Sequence, residues 1–313
     1  MTPSVASTAP APTSLRGPFC LAMAMLVVTT LTILQGALTT STGSGLAFRD
    51  WPLSDGGLMP ERSYTTLPGF FEHFHRLLGA LAGLLTLALA VGLQLARLGS
   101  ANVRRTAWFA LVLIIVQGVV GGVGVLKNLP AASSVTHGVL AQLTLATFAC
   151  IAYQLSDRHR LTAPIESVAP GTGRRITVIA VVMLVLQAVL GGIARHSNDS
   201  RAMWTHAGNS LVVFLVVVIA TAFAVGRLGE APGIKSIARH LTTLLIAQLA
   251  LGFIALLVRN DAGKTPENVA NLTSAALISA HVLVGALLTV MATTLAAHVF
   301  RATRPQAAPH HVA

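Results

Sequence analysis

Charge is scarce in this sequence. Only 10% of its 313 residues are charged, and acids are scarcest, 10 Asp and Glu against 21 Lys and Arg. With 54% hydrophobic residues and a mean hydropathy of +0.73, the chain lies outside the range of soluble domains and reads as an integral membrane protein. Cysteine is nearly absent: Cys20 and Cys150 each fall within an apolar run, which excludes a disulfide framework in exported loops. The first apolar run lacks an A-x-A cleavage pattern and is preceded by Arg16, so it reads as a retained helix rather than a cleaved signal. Residues 1–17, rich in Ala, Pro, Thr and Ser, read as a disordered cytoplasmic N-terminus.

What is abundant is apolar sequence in long runs. Eight spans stand out: Pro18–Leu38, Phe71–Ala96, Thr106–Leu126, Ser134–Leu155, Ile176–Ala194, Trp204–Val225, Leu241–Val258 and Ala275–Val299. Backbone polar groups in lipid must be satisfied within each segment, so these are helices and the fold is all-α. With the N-terminus inside, the inner segments hold Arg16, Arg97, Arg104, Arg105, Arg158, Arg160, Arg174, Arg175, Arg227, Lys235, Arg239, Arg301 and Arg304, which is 13 of the 21 basic residues but only 3 of the 10 acids. That asymmetry predicts cytoplasmic termini in a cell (inner) membrane. It also disposes of a nucleic-acid partner, because the basic excess is topological.

The chain is self-similar. Odd spans carry a glutamine followed by small residues, at Gln35-Gly36, Gln117 to Gly122, Gln187 to Gly192 and Gln248 to Gly252. Even spans carry one histidine near the outer end, His75, His137, His206 and His281. The unit is a helix pair used four times, which predicts two tandem pseudo-symmetric four-helix bundles. The predicted divisions are an N-terminal half at 18–155, a cytoplasmic linker at 156–175, a C-terminal half at 176–300 and a cytoplasmic tail at 301–313. The small residues let helices approach closely, and packing alone is the simplest account of them.

Ionisable residues inside membranes are rare and usually functional. Each of the four histidines lies about 3–12 Å inside the outer boundary at helical rise, so imidazoles from facing helices can meet in pairs. A flat macrocycle between two helices needs one nitrogen ligand from each side, and neutral imidazole suits haem iron. His75 and Gly79 are four apart, as are His281 and Gly285, which predicts a glycine under the imidazole with room for something flat. His73 is turned away from His75, and His196 ends a helix. His159, His240, His298, His310 and His311 are expected to be solvated at the inner side or terminus. Glu72 precedes His75 by one turn and can face what His75 binds, or else is a helix-start carboxylate. The first outer loop, Thr39 to Gly69, is long for a compact bundle, which favours a functional role.

At these residues the chain resembles the heme A synthases. The likeness rests on Glu72-x-x-His75-Arg76, on the loop Gly43-Ser44-Gly45-Leu46-Ala47-x-x-Asp50-Trp51-Pro52-Leu53, and on single histidines in the fourth, sixth and eighth spans. It implies an oxidoreductase that converts a methyl group of heme O to the formyl group of heme A, for a heme A-containing terminal oxidase. It further implies haem b as cofactor on His206 and His281, substrate haem on His75 and His137 with Arg76 beside it, and Glu72 as the catalytic carboxylate. Membrane lipid surrounds the chain, heme O synthase and oxidase assembly factors are the implied partners, and a homo-oligomer is left open. Family members often have cysteines flanking Asp-Trp-Pro-Leu and a second pair before the sixth span. Here Phe48 and Ser54 stand at the first places and none occurs at the second, so loop thiol chemistry is excluded. A bis-histidine b-type electron-transfer cytochrome and a haem transporter are the alternative readings.

Overall fold

The computed structural model describes residues 14–167, 169–197, 199–259 and 269–306. The expectations for residues 1–13, for His310 and His311 and for most of the Arg259–Ser274 loop therefore lie outside the described residues. The elements in order are α1 (Arg16–Ser41), α2 (Arg62–Thr65), α3 (Leu67–Leu95), α4 (Ala101–Leu126), α5 (Ala131–Leu155), α6 (Asp157–Leu161), β1 (Ile165–Ser167), α7 (Pro170–His196), α8 (Ser200–Leu228), α9 (Ile234–Val258), α10 (Val269–Ala302) and β2 (Thr303–Pro305). Eight of these helices are long and apolar enough to cross a membrane.

Most helices overrun the apolar spans that announce them. The shortest of the eight has 25 residues, about 37 Å at 1.5 Å per residue against a hydrocarbon core of about 30 Å. Local signals set the ends. Thr66 caps α3 by accepting the Gly69 N–H at 3.2 Å, with Pro68 in the first turn, where its missing N–H costs nothing. Ser100 caps α4 by accepting the Val103 N–H at 3.2 Å. Because α3 starts at Leu67, Glu72 lies beyond its first turn and is not a helix-start carboxylate.

Small residues decide which faces meet. Ala22, Ala82, Ala90, Ala107, Ala110, Ala220, Ala286 and Ala292 are buried, whereas Leu84, Val112, Val182 and Leu215 point outward. Lipid is as apolar as leucine, so close approach of small residues, rather than burial of large ones, selects the interfaces. Helices α1, α3, α4 and α5 form a circuit of neighbours in which α3 and α5 are diagonal. Helices α7, α8, α9 and α10 form another, with α8 and α10 diagonal. The circuits join where α1 meets α10, α5 meets α7 and α5 meets α10. Each circuit has its own apolar core, one around Met25, Leu89, Phe148 and Ile151, the other around Val217, Leu228, Leu241 and Leu288. A small cluster of Ile33, Leu145 and Ala286 lies between them.

The end away from the four histidines is tied together by polar contacts. Strand β1 pairs in parallel with β2, joining the segment after α5 to the segment after α10. Arg174 donates to the Thr303 carbonyl at 2.6 Å, and Arg301 donates to the His159 carbonyl at 2.9 Å. His298, expected to be solvated, is instead 0% exposed. Its Nδ1 lies 2.8 Å from the Tyr153 hydroxyl and its Nε2 2.8 Å from the Pro232 carbonyl. A carbonyl only accepts, so Nε2 carries the proton and Tyr153 donates to Nδ1. The expectation failed because packing brings the inner end of α10, His298 included, against the Tyr153 hydroxyl and the Pro232 carbonyl. His159 is only partly exposed and packs edge-on against Tyr153. His240 is exposed, as expected.

Candidate functional site

The four histidines come together as two pairs, each across the diagonal of one circuit. His75 on α3 faces His137 on α5 with ring centroids 6.1 Å apart and planes crossed at 77°. His206 on α8 faces His281 on α10 at 6.3 Å and 86°. All four imidazoles are partly exposed.

Each ring is set by the neighbouring odd helix. The Nδ1 of His75 donates to the Thr32 carbonyl at 3.0 Å, and that of His137 to the Gln117 carbonyl at 3.1 Å. A carbonyl cannot donate, so in the neutral ring Nδ1 holds the proton and Nε2 keeps its lone pair, the state of a metal-binding imidazole. In the second circuit the Nδ1 atoms of His206 and His281 are directed at the backbone of Gln187 and Gln248, but neither closes a hydrogen bond within normal geometry. These contacts are looser than those of the first circuit.

The glycines that matter are across the interface, not beneath the imidazole on its own helix. A Cβ at Gly36, Gly121, Gly191 or Gly252 would stand 2.7, 2.7, 2.8 or 3.0 Å from Cε1 of His75, His137, His206 or His281 respectively. Around Gly79 the nearest atom is Thr32 Cγ2 at 3.9 Å, and the space over Gly285 is filled by the Gln248 amide at 3.0 Å. The odd helix thus fills the predicted room at Gly285, whereas at Gly79 only the Thr32 methyl comes into ordinary contact. The contacts also correct the repeat register: Thr32, four before Gly36, occupies the place held elsewhere by Gln117, Gln187 and Gln248. Gln35 serves differently, its amide reaching the Phe71 carbonyl at 3.3 Å. The other glutamines brace the histidine helices. Gln117 and Gln187 donate to the carbonyls of His137 and His206 at 2.9 and 2.8 Å, and Gln248 lies 3.4 Å from the Nε2 of His281.

Beside the first pair the long loop is fastened to α3. Glu72, 3% exposed, accepts the Phe48 N–H at 2.9 Å through Oε2 and pairs with Arg76 through Oε1. Arg76 spends its terminal nitrogens on the carbonyls of Asp50, Leu53 and Phe48 at 2.7, 2.6 and 3.0 Å, so those nitrogens hold the loop rather than face the pair. His73, also 3% exposed, meets the Ser54 hydroxyl at 2.9 Å. Phe48, where the family often has cysteine, is wholly buried between these groups. Within the loop the Asp50 carboxylate accepts from the Asp55 and Gly56 N–H groups at 2.9 and 2.8 Å. Desolvation pushes its pKa up, but those two N–H groups, its own N–H and the Arg76 charge together hold the carboxyl below its ordinary value of 3.8. Sequence reasoning missed the roles of Phe48, Ser54 and His73 because each depends on how the loop folds back.

Haem fits this donor set. One iron bound by two imidazoles at about 2 Å per bond would put their centroids roughly 6 Å apart, and both pairs meet that spacing with Nδ1 turned outward. Among the described residues no group of three or more His, Cys, Asp or Glu could hold a metal ion.

Comparison with known proteins leads to the same place. The family model described as COX15-CtaA, cytochrome oxidase assembly protein, matches residues 18–213, a stretch containing His75, His137 and His206. The heme A synthase of Symbiobacterium thermophilum is 30% identical over 225 residues, 69% of this chain and 72% of that protein. Those of Bacillus licheniformis and Geobacillus kaustophilus are 27% and 25% identical, over 56% and 58% of this chain and 59% and 55% of their own lengths. With eight membrane helices, two imidazole pairs and this match across most of its length, the chain belongs to the heme A synthase (COX15-CtaA) family.

Proposed function

We propose that the protein is a heme A synthase that oxidises a methyl substituent of heme O to the formyl group of heme A, for a terminal oxidase that uses heme A. The observation that carries this reading is the diagonal imidazole pair at 6.1 Å, repeated at 6.3 Å in the second circuit. Two such sites suit an enzyme with one resident and one substrate macrocycle. We assign His206 and His281 to a retained haem b, and His75 and His137 to the substrate, because among the described residues a fastened loop and a buried carboxylate accompany only the first pair.

An unactivated methyl group needs a strong oxidant, which haem iron supplies when bound and side chains do not. The rest falls to the chain. Thr32 and Gln117 fix the tautomers of His75 and His137, so both present Nε2 lone pairs. Glu72, one turn before His75, is the base that accepts a proton from the substrate edge. Arg76 serves the substrate by holding the loop in place. Lipid-facing helices keep bulk water from the reacting edge.

The same reading places the protein in the cell (inner) membrane with cytoplasmic termini and the histidine end outward, supported by the distribution of its basic residues. It also makes the two circuits duplicated halves, at 18–155 and 176–300, supplied by a heme O synthase and serving oxidase assembly. The test is pigment extraction from membranes that express the protein beside a heme O source. Heme A is expected in the parent, and His206→Ala or His281→Ala should remove most low-spin haem absorbance. Bound haem with heme O as the sole pigment would instead indicate an electron-transfer cytochrome, and no bound haem would overturn the site. Cysteine labelling of the Asp50-Trp51 loop from the cytoplasm would overturn the topology.

A further inference from the structure

The long loop does more than cover α3. Asp50 is tied to Arg76 of α3 through its carbonyl, and the next residue, Trp51, crosses to α4. A Cβ at Gly122 would lie 2.3, 2.4 and 2.8 Å from Cδ2, Cε2 and Cγ of the indole, so the ring rests directly on the glycine backbone. Earlier in the loop, Gly45 sits against Leu129 just beyond α4, where a Cβ would stand 2.9 Å from Cδ1. The loop is thus anchored on both α3 and α4 and bridges the outer end of their interface, which is less extensive than those of α1 with α3 and α4 with α5. Gly122 follows Gly121, the residue against which His137 is seated. A large flat side chain, 39% exposed, therefore rests on α4 beside the residue that seats His137 of the first imidazole pair.

The second circuit provides an internal comparison. There α9 stands where α4 does, with Gly252 against His281 as Gly121 is against His137, but the next residue is Phe253, 64% exposed, and no glycine. Only three residues separate α7 from α8, too few to lay a side chain across the corresponding seam. The two sites share ligand geometry and differ in closure.

We infer that Trp51, seated on Gly122, is a positioning residue for the substrate: a removable wedge between α3 and α4 that retains the macrocycle of the first pair and makes that seam its route of exchange. Among the described residues the second pair has no such wedge, and it exchanges by no such route. This inference rests on the assignment of haem to both pairs. Differences between related sites usually appear in dissociation rates, so the readout is haem release to apomyoglobin, followed by absorbance. Release from the first pair is measured in a His206→Ala background and from the second in a His137→Ala background.

Trp51→Ala and Gly122→Ala should each speed release from the first pair by about tenfold or more and leave the second unchanged. The double variant should be no faster than either single one, since both remove the same contact, and Trp51→Phe should restore most retention. Parental release rates in both single variants would overturn the wedge, as would equal acceleration from both pairs, which would mark general loosening. Should the parent carry no haem, the functional assignment falls first and the wedge with it. Haem on the parent with unaltered release in the variants removes the wedge alone.

Discussion

The glycines on the odd helices allow a graded steric test of the candidate site. At Gly121 an added Cβ would stand 2.7 Å from His137 Cε1, about 0.7 Å short of the 3.4 Å at which ordinary contact begins. The ring cannot yield freely, because its Nδ1 is held by the Gln117 carbonyl at 3.1 Å. Overpacking of this kind costs about 1–3 kcal/mol, and loss of the bond adds about 1 kcal/mol. Spent on displacing the ligand, 1–3 kcal/mol weakens haem binding by roughly 5- to 150-fold. Gly36→Ala and Gly121→Ala should be the most harmful, Gly191→Ala next, and Gly252→Ala, with its contact at 3.0 Å, the mildest. Gly138 is adjacent to the ligand His137 yet has nothing within 4 Å of a built Cβ, so Gly138→Ala should keep haem and gain up to about 1 kcal/mol in helix stability. The assay is haem absorbance per protein after purification, with thermal unfolding in detergent alongside. Equal haem loss in Gly138→Ala and Gly121→Ala, or full haem in Gly121→Ala, would refute the idea that these glycines seat the imidazoles.

Three further outcomes are expected. Glu72→Gln should retain haem at both pairs and slow heme A formation by about 10²–10⁴-fold, the usual weight of a general base; heme A made at the parental rate would leave Glu72 only its anchoring contacts with Phe48 and Arg76. Asp50 has a folded pKa below its unfolded value, so its contribution to loop order is present above pH 3.8 and lost as pH falls through the lower folded value. Hydrogen exchange at Asp55 and Gly56, corrected for intrinsic rates, should therefore stay constant from about pH 8 to 5 and rise only in stronger acid. A rise beginning near pH 6 would contradict this. His298→Ala strands the buried Tyr153 hydroxyl and should cost about 1–3 kcal/mol of stability with haem absorbance intact; an unchanged thermal midpoint would show that this junction bears no load.

The sequence by itself determined the fold class and the chemistry on offer. Eight apolar runs with almost no charge leave the backbone no choice but helices, and four histidines at one depth on alternate runs limit the ligand set before any packing is known. Glu72, His75 and Arg76 were legible for the same reason: charge at the start of a membrane helix is costly and so conspicuous. What the sequence does not contain is the relation between helices. Periodicity relates residues along one helix, which is why Gly79 and Gly285 looked like the spaces beneath the imidazoles. The spaces that count, at Gly36, Gly121, Gly191 and Gly252, arise only when a second helix comes within contact distance. Loop residues were less legible still. Phe48, Trp51 and Ser54 acquire their roles because Arg76 collects three carbonyls from a chain that doubles back, an arrangement no spacing rule encodes. Likewise nothing in the eighth span showed that His298 would meet Tyr153 and Pro232, which takes the packing of α10 against two other segments. Composition fixes which environment each segment must occupy, because transfer free energies act residue by residue. Which residues meet is a collective result of packing, and it alone decided that each imidazole is seated against a glycine of the neighbouring odd helix.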